Sequence, residues 1–139
     1  MKQVVFYIML SVSFLYSCSK EKMTLNKLEG NWDLSSFKVT SAEGWTVFPS
    51  FEGELNFKEP KYNEYQFRLL FLENTDTLSF QRKGIYELTN KGENLTCYNA
   101  TGDSIISTYR ILTLTSTDLQ LEELLSTGFV RLFQFRKRT

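Results

Sequence analysis

Apolar and polar residues alternate in short runs along most of the chain from Leu28 onward. In the clearest run, 51–57, every odd position holds an apolar residue or glycine and every even position holds a polar one. A period of two places one face of a strand against a core and the other face in water. The pattern predicts about eight or nine strands, with the second segment short or merged: 31–40, 45–48, 51–58, 63–73, 77–82, 84–89, 93–98, 105–115, 118–125 and 129–137.

Clusters of turn-forming residues separate these runs at intervals of roughly a dozen residues. Strands joined so closely are antiparallel neighbours, and a long meander hides its edges most completely by closing into a barrel. We therefore predict an all-β chain that forms a small antiparallel up-and-down barrel of about eight strands. Helix is expected to be minimal, namely one turn over Lys22–Leu28 capped by Thr24.

The first residues of the chain have the pattern of an export signal. Lys2 precedes an apolar stretch over 4–16, which is too short to span a bilayer but has the length of a signal-peptide core. The sequence Leu-Tyr-Ser-Cys at 15–18 resembles the lipobox of bacterial lipoproteins. This resemblance implies a signal peptide over 1–17 that is removed, and a diacylglycerol and an N-linked acyl group on Cys18.

The expected domain organisation follows from these two features. We predict a lipidated tether over 18–27 and one barrel domain over 28–139. The protein is then expected in the cell envelope, held on the outer membrane by its lipid, in either the periplasmic or the cell-surface leaflet. The membrane is the partner that this anchor implies.

The composition argues against several classes of function. The chain has no histidine, and its 16 acidic and 16 basic residues balance. Nucleic-acid binding is therefore not expected, and the commonest general base and zinc ligand are missing. No phosphate-binding loop or nucleophile motif is present, so we expect no enzyme, no metal site and no cofactor besides the lipid. Cys97 would be left without a disulfide partner and is expected to be a buried, inert thiol.

The residues Gly30 and Trp32 at the start of the first predicted strand resemble the Gly-x-Trp signature of lipocalins. The order of the later motifs is similar to that in lipocalin-like domains of Bacteroidetes lipoproteins: Gly84–Leu88, Tyr109–Leu114, Leu119–Leu121 and the terminal Phe-x-Phe-Arg. The resemblance implies a lipocalin-like barrel with Gly30 and Trp32 at its floor. It also implies that a basic residue of the last strand packs over Trp32. Arg136 fits that place best, and Arg131 is the second choice.

The aromatic residues, 15% of the chain, leave two functions open because they could either line or fill the barrel. Trp45, Phe48 and Phe51 are expected at the mouth, as a lid or as an apolar contact site. We predict a non-catalytic, outer-membrane-anchored lipoprotein that binds a small hydrophobic ligand or a neighbouring protein. The alternative is an accessory structural subunit of an outer-membrane protein complex, with a filled barrel and no ligand.

Two tripeptides resemble the Bacteroidetes O-glycosylation signal of aspartate, a hydroxyl residue and an apolar residue. They contain Thr77 and Ser104. Both fall at predicted boundaries between a turn and a strand, where a glycan could project into solvent. Thr77 and Ser104 are therefore candidate glycosylation sites.

Overall fold

A computed structural model describes residues 20–73 and 76–139. Within these ranges the chain forms nine strands, all paired antiparallel in one sheet. The strands are β1 Gly30–Ser41, β2 Gly44–Val47, β3 Phe51–Phe57, β4 Glu64–Glu73, β5 Asp76–Thr89, β6 Asn94–Tyr98, β7 Ile105–Leu114, β8 Asp118–Leu124 and β9 Val130–Lys137.

The sheet closes because β1 pairs with the last strand, β9, as well as with β2 and β3. Strand β3 pairs with residues 30–33 of β1, and β2 pairs with residues 38–41. Strands β2 and β3 therefore act as one interrupted strand along β1. The result is a closed, eight-stranded, antiparallel up-and-down barrel, which confirms the predicted fold class.

One predicted boundary inside the sheet was wrong. The segments 77–82 and 84–89 are a single strand, β5, which continues through Gly84. Residues 76–85 of this strand pair with β4, and residues 86–89 pair with β6. Gly84 lies where the partner changes, and a Cβ there would be 1.9 Å from the carbonyl oxygen of Tyr98. Glycine is needed here because the two backbones approach so closely.

The alternating strand directions define two ends of the barrel. At the closed end lie the connections 58–63, 90–93 and 115–117, together with the start of β1. At the open end lie the connections 99–104 and 125–129 and the turn between β1 and β2, while residues 48–50 form the break between β2 and β3.

A helix over residues 20–28 precedes β1 at the closed end. Leu28 is fully buried and Leu25, one turn earlier, packs against the barrel core. The helix is longer than the single turn that we predicted, and Thr24 lies inside it, where its hydroxyl donates to the Lys20 carbonyl oxygen (3.0 Å). Part of the segment 18–27 that we expected to be a tether therefore belongs to the packed structure.

The export signal at 1–17 and the lipidation site at Cys18 lie outside the described residues and stay predictions. In the part of the chain that the structure does describe, no helix is long and apolar enough to cross a bilayer.

Aromatic rings fill the middle of the barrel. The Phe133 ring lies 5.2 Å from Phe37, 5.4 Å from Phe67 and 6.2 Å from Phe135, measured between ring centroids. All four side chains are almost fully buried. An irregularity in β1 between Leu34 and Ser36 shifts the alternation by one residue. Residues on either side of this β-bulge can therefore both face inward, and Phe37 joins the stack.

Candidate functional site

The closed end is built around Trp32, which is fully buried. Its Nε1 atom donates a hydrogen bond of 2.7 Å to the carbonyl oxygen of Leu28, the last residue of the helix. The ammonium group of Lys137 lies 5.0 Å from the Trp32 ring centroid and donates to the Lys27 carbonyl oxygen (3.0 Å). The tryptophan, the helix and the last strand therefore close this end together.

The assignment of Arg136 to the place over Trp32 was wrong. Lys137 pairs with Trp32 in the β1–β9 register and shares the inward-facing alternation of Phe133 and Phe135. Arg136 is one residue out of that alternation, so its side chain is exposed, with its Nε atom 4.0 Å from a carboxylate oxygen of Asp118. Arg131, the second choice, lies in the half of β9 nearer the open end.

Gly30 is required at the closed end for two reasons. Its φ angle is +116°, in a region that residues other than glycine rarely adopt. A Cβ on Gly30 would also lie 3.1 Å from Cε of Lys137, along the path of that side chain to Trp32.

A cavity of about 280 Å³ opens at the other end of the barrel. Its walls combine aromatic and aliphatic side chains with one charged residue: Phe37, Phe48, Phe71, Leu125, Phe129 and Arg131. The Phe48 ring is stacked 5.0 Å from Phe37 and packs edge-on 5.1 Å from Phe71. Thr40 and Thr46 add two hydroxyl groups to this lining. A concave, largely apolar surface with a few polar groups is typical of a site for a small molecule.

The three residues expected at the mouth all lie at the open end, but they have different surroundings. Phe48 is buried and forms part of the cavity wall. Phe51 pairs with Phe71 in the β3–β4 register and packs against the core. Trp45 remains 49% exposed, with the Lys38 ammonium group 4.7 Å from its ring centroid. Of the three, only Phe48 contacts the cavity.

A buried group of charged and polar side chains lies beside this cavity. Glu123, which is 4% exposed, accepts hydrogen bonds on Oε1 from Arg82 (2.9 Å) and on Oε2 from Arg131 (3.3 Å). The Arg82 guanidinium also donates to the hydroxyls of Ser107 and Tyr109, and Ser107 donates to Oε1 of Glu123 (2.8 Å). These five residues form what we call the arginine–glutamate cluster.

The ionisation of Arg82 is fixed by its neighbours. Burial lowers the pKa of its guanidinium, but Tyr109 and Glu123 outweigh this effect and raise the pKa above its ordinary value. Burial raises the pKa of Tyr109 well above its usual range. At neutral pH the cluster therefore contains charged arginine and a neutral phenol.

Sequence reasoning missed this cluster although the pattern contained a signal for it. Glu123 follows Leu119 and Leu121 in the same alternation, and Arg131 precedes Phe133 and Phe135. A charge at an inward-facing position of a strand must find a partner inside the barrel. What the sequence did not provide was the identity of those partners.

Cys97 is buried, and it pairs with Ser107 of the cluster in the β6–β7 register. Burial raises the pKa of its thiol to about 12. The thiolate, which is the nucleophilic form, is therefore almost absent at neutral pH. Within the described ranges no cluster of histidine, cysteine and acidic residues could hold a metal ion.

The candidate glycosylation residues Thr77 and Ser104 are both exposed. Thr77 is the second residue of β5, and Ser104 immediately precedes β7. Their accessibility would permit modification, and glycosylation at these positions stays a prediction.

A larger hollow of about 360 Å³ lies on the outer wall, where the loop between β6 and β7 meets β4 and β5. Most of its lining residues are of polar or charged types, including the exposed ion pair of Lys58 with Glu64 and the side chains of Gln66 and Lys83. Solvent-exposed ion pairs of this kind contribute little binding energy. The smaller cavity at the open end is therefore the better candidate site.

Comparison with solved structures supports the fold. The bovine odorant-binding protein in complex with undecanal aligns over 83% of this chain and 74% of its own, with a TM-score of 0.51 and 16% identity. Its complex with a selenium-containing odorant has the same TM-score and identity, over 83% and 73% of the two chains. A de novo designed fluorescence-activating β-barrel aligns over 83% of this chain and 97% of its own, with a TM-score of 0.50 and 14% identity.

No family model matches the chain, and no curated protein sequence does. At identities this low, the structural likeness concerns the fold alone. The protein is a closed, eight-stranded antiparallel barrel with the lipocalin-like fold.

Proposed function

We propose that this protein is a non-catalytic, lipid-anchored binding protein that takes a small apolar molecule into the cavity at the open end. The observation that carries this proposal is the cavity of about 280 Å³ with walls of Phe37, Phe48 and Phe71. Ligand pockets in proteins range upward from about 300 Å³, so the ligand must be small. The aromatic rings that fill the barrel beneath the cavity prevent deeper entry.

The similar bovine protein supports this choice because it has been solved with undecanal, a small and largely apolar molecule. A binding role also agrees with the chemistry of the described residues. The buried cysteine is held as a thiol, and Glu123 is occupied by two arginines. Neither group is available for acid–base or nucleophilic catalysis.

Blocking the cavity tests the proposal. Thr46 lines the cavity from the exposed strand β2, so Thr46→Trp should fill the entrance without disturbing the core. We expect the wild type to bind the neutral fluorescent probe N-phenyl-1-naphthylamine saturably, and Thr46→Trp to weaken binding by about tenfold or more, equivalent to about 1.4 kcal/mol.

The matched control is Val47→Trp, which adds the same ring at the next residue of β2. Val47 is 62% exposed and is not part of the cavity wall, so this variant should bind the probe like the wild type. Non-saturable binding by the wild type, or equal binding by the two variants, would contradict the proposed site.

The anchor is tested separately at Cys18. We expect Cys18→Ala to abolish labelling by radioactive fatty acid and to leave the protein at the higher mass of its precursor. Cys97→Ala is the control, because the buried thiol of Cys97 should carry no lipid and its replacement should leave labelling and processing unchanged. Fatty-acid labelling of Cys18→Ala at the wild-type level would refute the lipoprotein assignment.

One observation favours the accessory-subunit alternative. Several apolar side chains lie exposed in the half of the barrel nearer the open end, including Val47, Ile105 and Leu124, which are 62%, 64% and 72% exposed. Exposed apolar surface of this kind can mark a protein contact.

The two functions predict different results for Thr46→Trp: a ligand carrier loses its ligand, whereas a subunit that binds through these exposed apolar residues keeps its partner proteins.

A further inference from the structure

The arginine–glutamate cluster contains more positive than negative charge. Arg82 and Arg131 each contact a different oxygen of the single carboxylate of Glu123. Both guanidinium groups also lie against the ring of Phe80, at 4.9 and 5.9 Å from its centroid. Two cations and one anion leave an excess of one positive charge in a mostly buried setting, where an unpaired charge is unfavourable.

The excess charge is located on Arg131. Arg82 has three partners, Ser107, Tyr109 and Glu123. For Arg131 the described residues provide one hydrogen bond, to Glu123, although a guanidinium has five N–H donors. Its side chain is 28% exposed and forms part of the cavity wall. The remaining donors are therefore available to a molecule in the cavity.

The geometry also lets Arg131 change partner at little cost. Its bond to Glu123 measures 3.3 Å, longer than the roughly 2.7–2.9 Å of strong charge-assisted hydrogen bonds. The Arg82–Glu123 bond measures 2.9 Å and keeps the carboxylate paired. Arg131 can therefore turn toward a ligand without leaving Glu123 uncompensated.

We propose that the cavity binds a monoanionic amphiphile, a carboxylate on a short apolar chain, with the carboxylate on Arg131 and the chain against Phe37, Phe48 and Phe71. This inference rests on the proposed function and adds the charge of the ligand to it. One monoanion neutralises the excess charge, and a carboxylate matches the planar fork of a guanidinium. The cavity volume restricts the apolar part to a short chain.

The test compares two molecules of equal chain length at neutral pH, where a carboxylic acid is ionised. Octanoate and 1-octanol are titrated separately into the protein with bound N-phenyl-1-naphthylamine, and displacement is followed by fluorescence. We expect octanoate to compete better than octanol by about tenfold or more, the range of one charge-assisted hydrogen bond. Acetate, which has the charge without the chain, should leave the probe bound.

Three variants test whether Arg131 causes the preference for octanoate over octanol. Arg131→Gln should lose the preference for octanoate and keep binding octanol. Arg131→Lys, which retains the charge, should keep part of the preference. Arg136→Gln is the matched control, because Arg136 lies on the same strand but is exposed on the outer face; it should behave like the wild type.

Each adverse result has a distinct meaning. Equal competition by octanoate and octanol in the wild type would overturn the anionic ligand and leave the proposed function intact. An undiminished octanoate preference in Arg131→Gln would overturn the role of Arg131, and displacement by acetate would overturn the requirement for an apolar chain. Absence of saturable probe binding in the wild type would refute the proposed function itself.

Discussion

Replacing Trp32 with alanine is expected to lower the free energy of unfolding by about 3–5 kcal/mol, the range for a large buried aromatic residue. The substitution empties the closed end, where Trp32 is fully buried beneath Lys137. It also removes the indole donor from the Leu28 carbonyl oxygen, so the helix over 20–28 loses a direct link to the barrel. Urea denaturation followed by circular dichroism measures the difference.

Trp45→Ala is the matched control, because Trp45 is half exposed at the open end. Its replacement should change the unfolding free energy by less than about 1 kcal/mol, as is usual for surface positions. Trp32→Phe separates the two contributions at the closed end, since it retains most of the apolar ring and lacks the Nε1 donor. A Trp32→Ala protein as stable as Trp45→Ala would show that the closed end does not depend on this residue.

Glu123→Ala is expected to destabilise the protein by about 3–5 kcal/mol, because removing one partner of a buried ion pair leaves an uncompensated charge. Here the loss affects two arginines at once, since Arg82 and Arg131 share the carboxylate of Glu123. Glu122→Ala is the control on the outer face, where the ion pair with Arg110 is more exposed and should be worth at most about 1 kcal/mol. Thermal and urea unfolding of the two variants give the comparison.

An apolar replacement tests whether the stability lost on removing Glu123 comes from unpaired charge. In that case, adding Arg82→Met to a Glu123→Leu protein should recover part of the lost stability. Apolar groups of similar volume often replace a buried ion pair without loss of stability. Equal stability losses for Glu123→Ala and Glu122→Ala would contradict a buried role for Glu123.

The fold could be predicted because the alternation of residues is a direct consequence of the barrel. Each strand has one buried face, so a run such as 51–57 shows inward and outward positions in the sequence itself. The helix over 20–28 was underestimated because most of its residues are polar. Its stability comes from Leu25 and Leu28 packing on the barrel, which short-range patterns do not reveal.

The site was less predictable because it depends on which side chains meet. A shift of one residue exchanges the inner and outer faces of a strand. The prediction for the residue over Trp32 was off by one such step, since it named Arg136 and the structure has Lys137 there. Arg82 and Glu123 are 41 residues apart in sequence and lie on β5 and β8, which are not paired neighbours in the sheet. Their charges were visible in the alternation, but their pairing required the three-dimensional register.

The pairing of β1 with β9 has a consequence for the order in which the protein can fold. Trp32 and Lys137 face each other across this seam, although almost the whole domain separates them in sequence. Phe133 and Phe135, two of the rings at the centre of the core, also belong to the last strand. A nascent chain without β9 would lack these rings and the closing seam. We therefore expect the barrel to close only after β9 has been synthesised, at the slow rate typical of contacts distant in sequence.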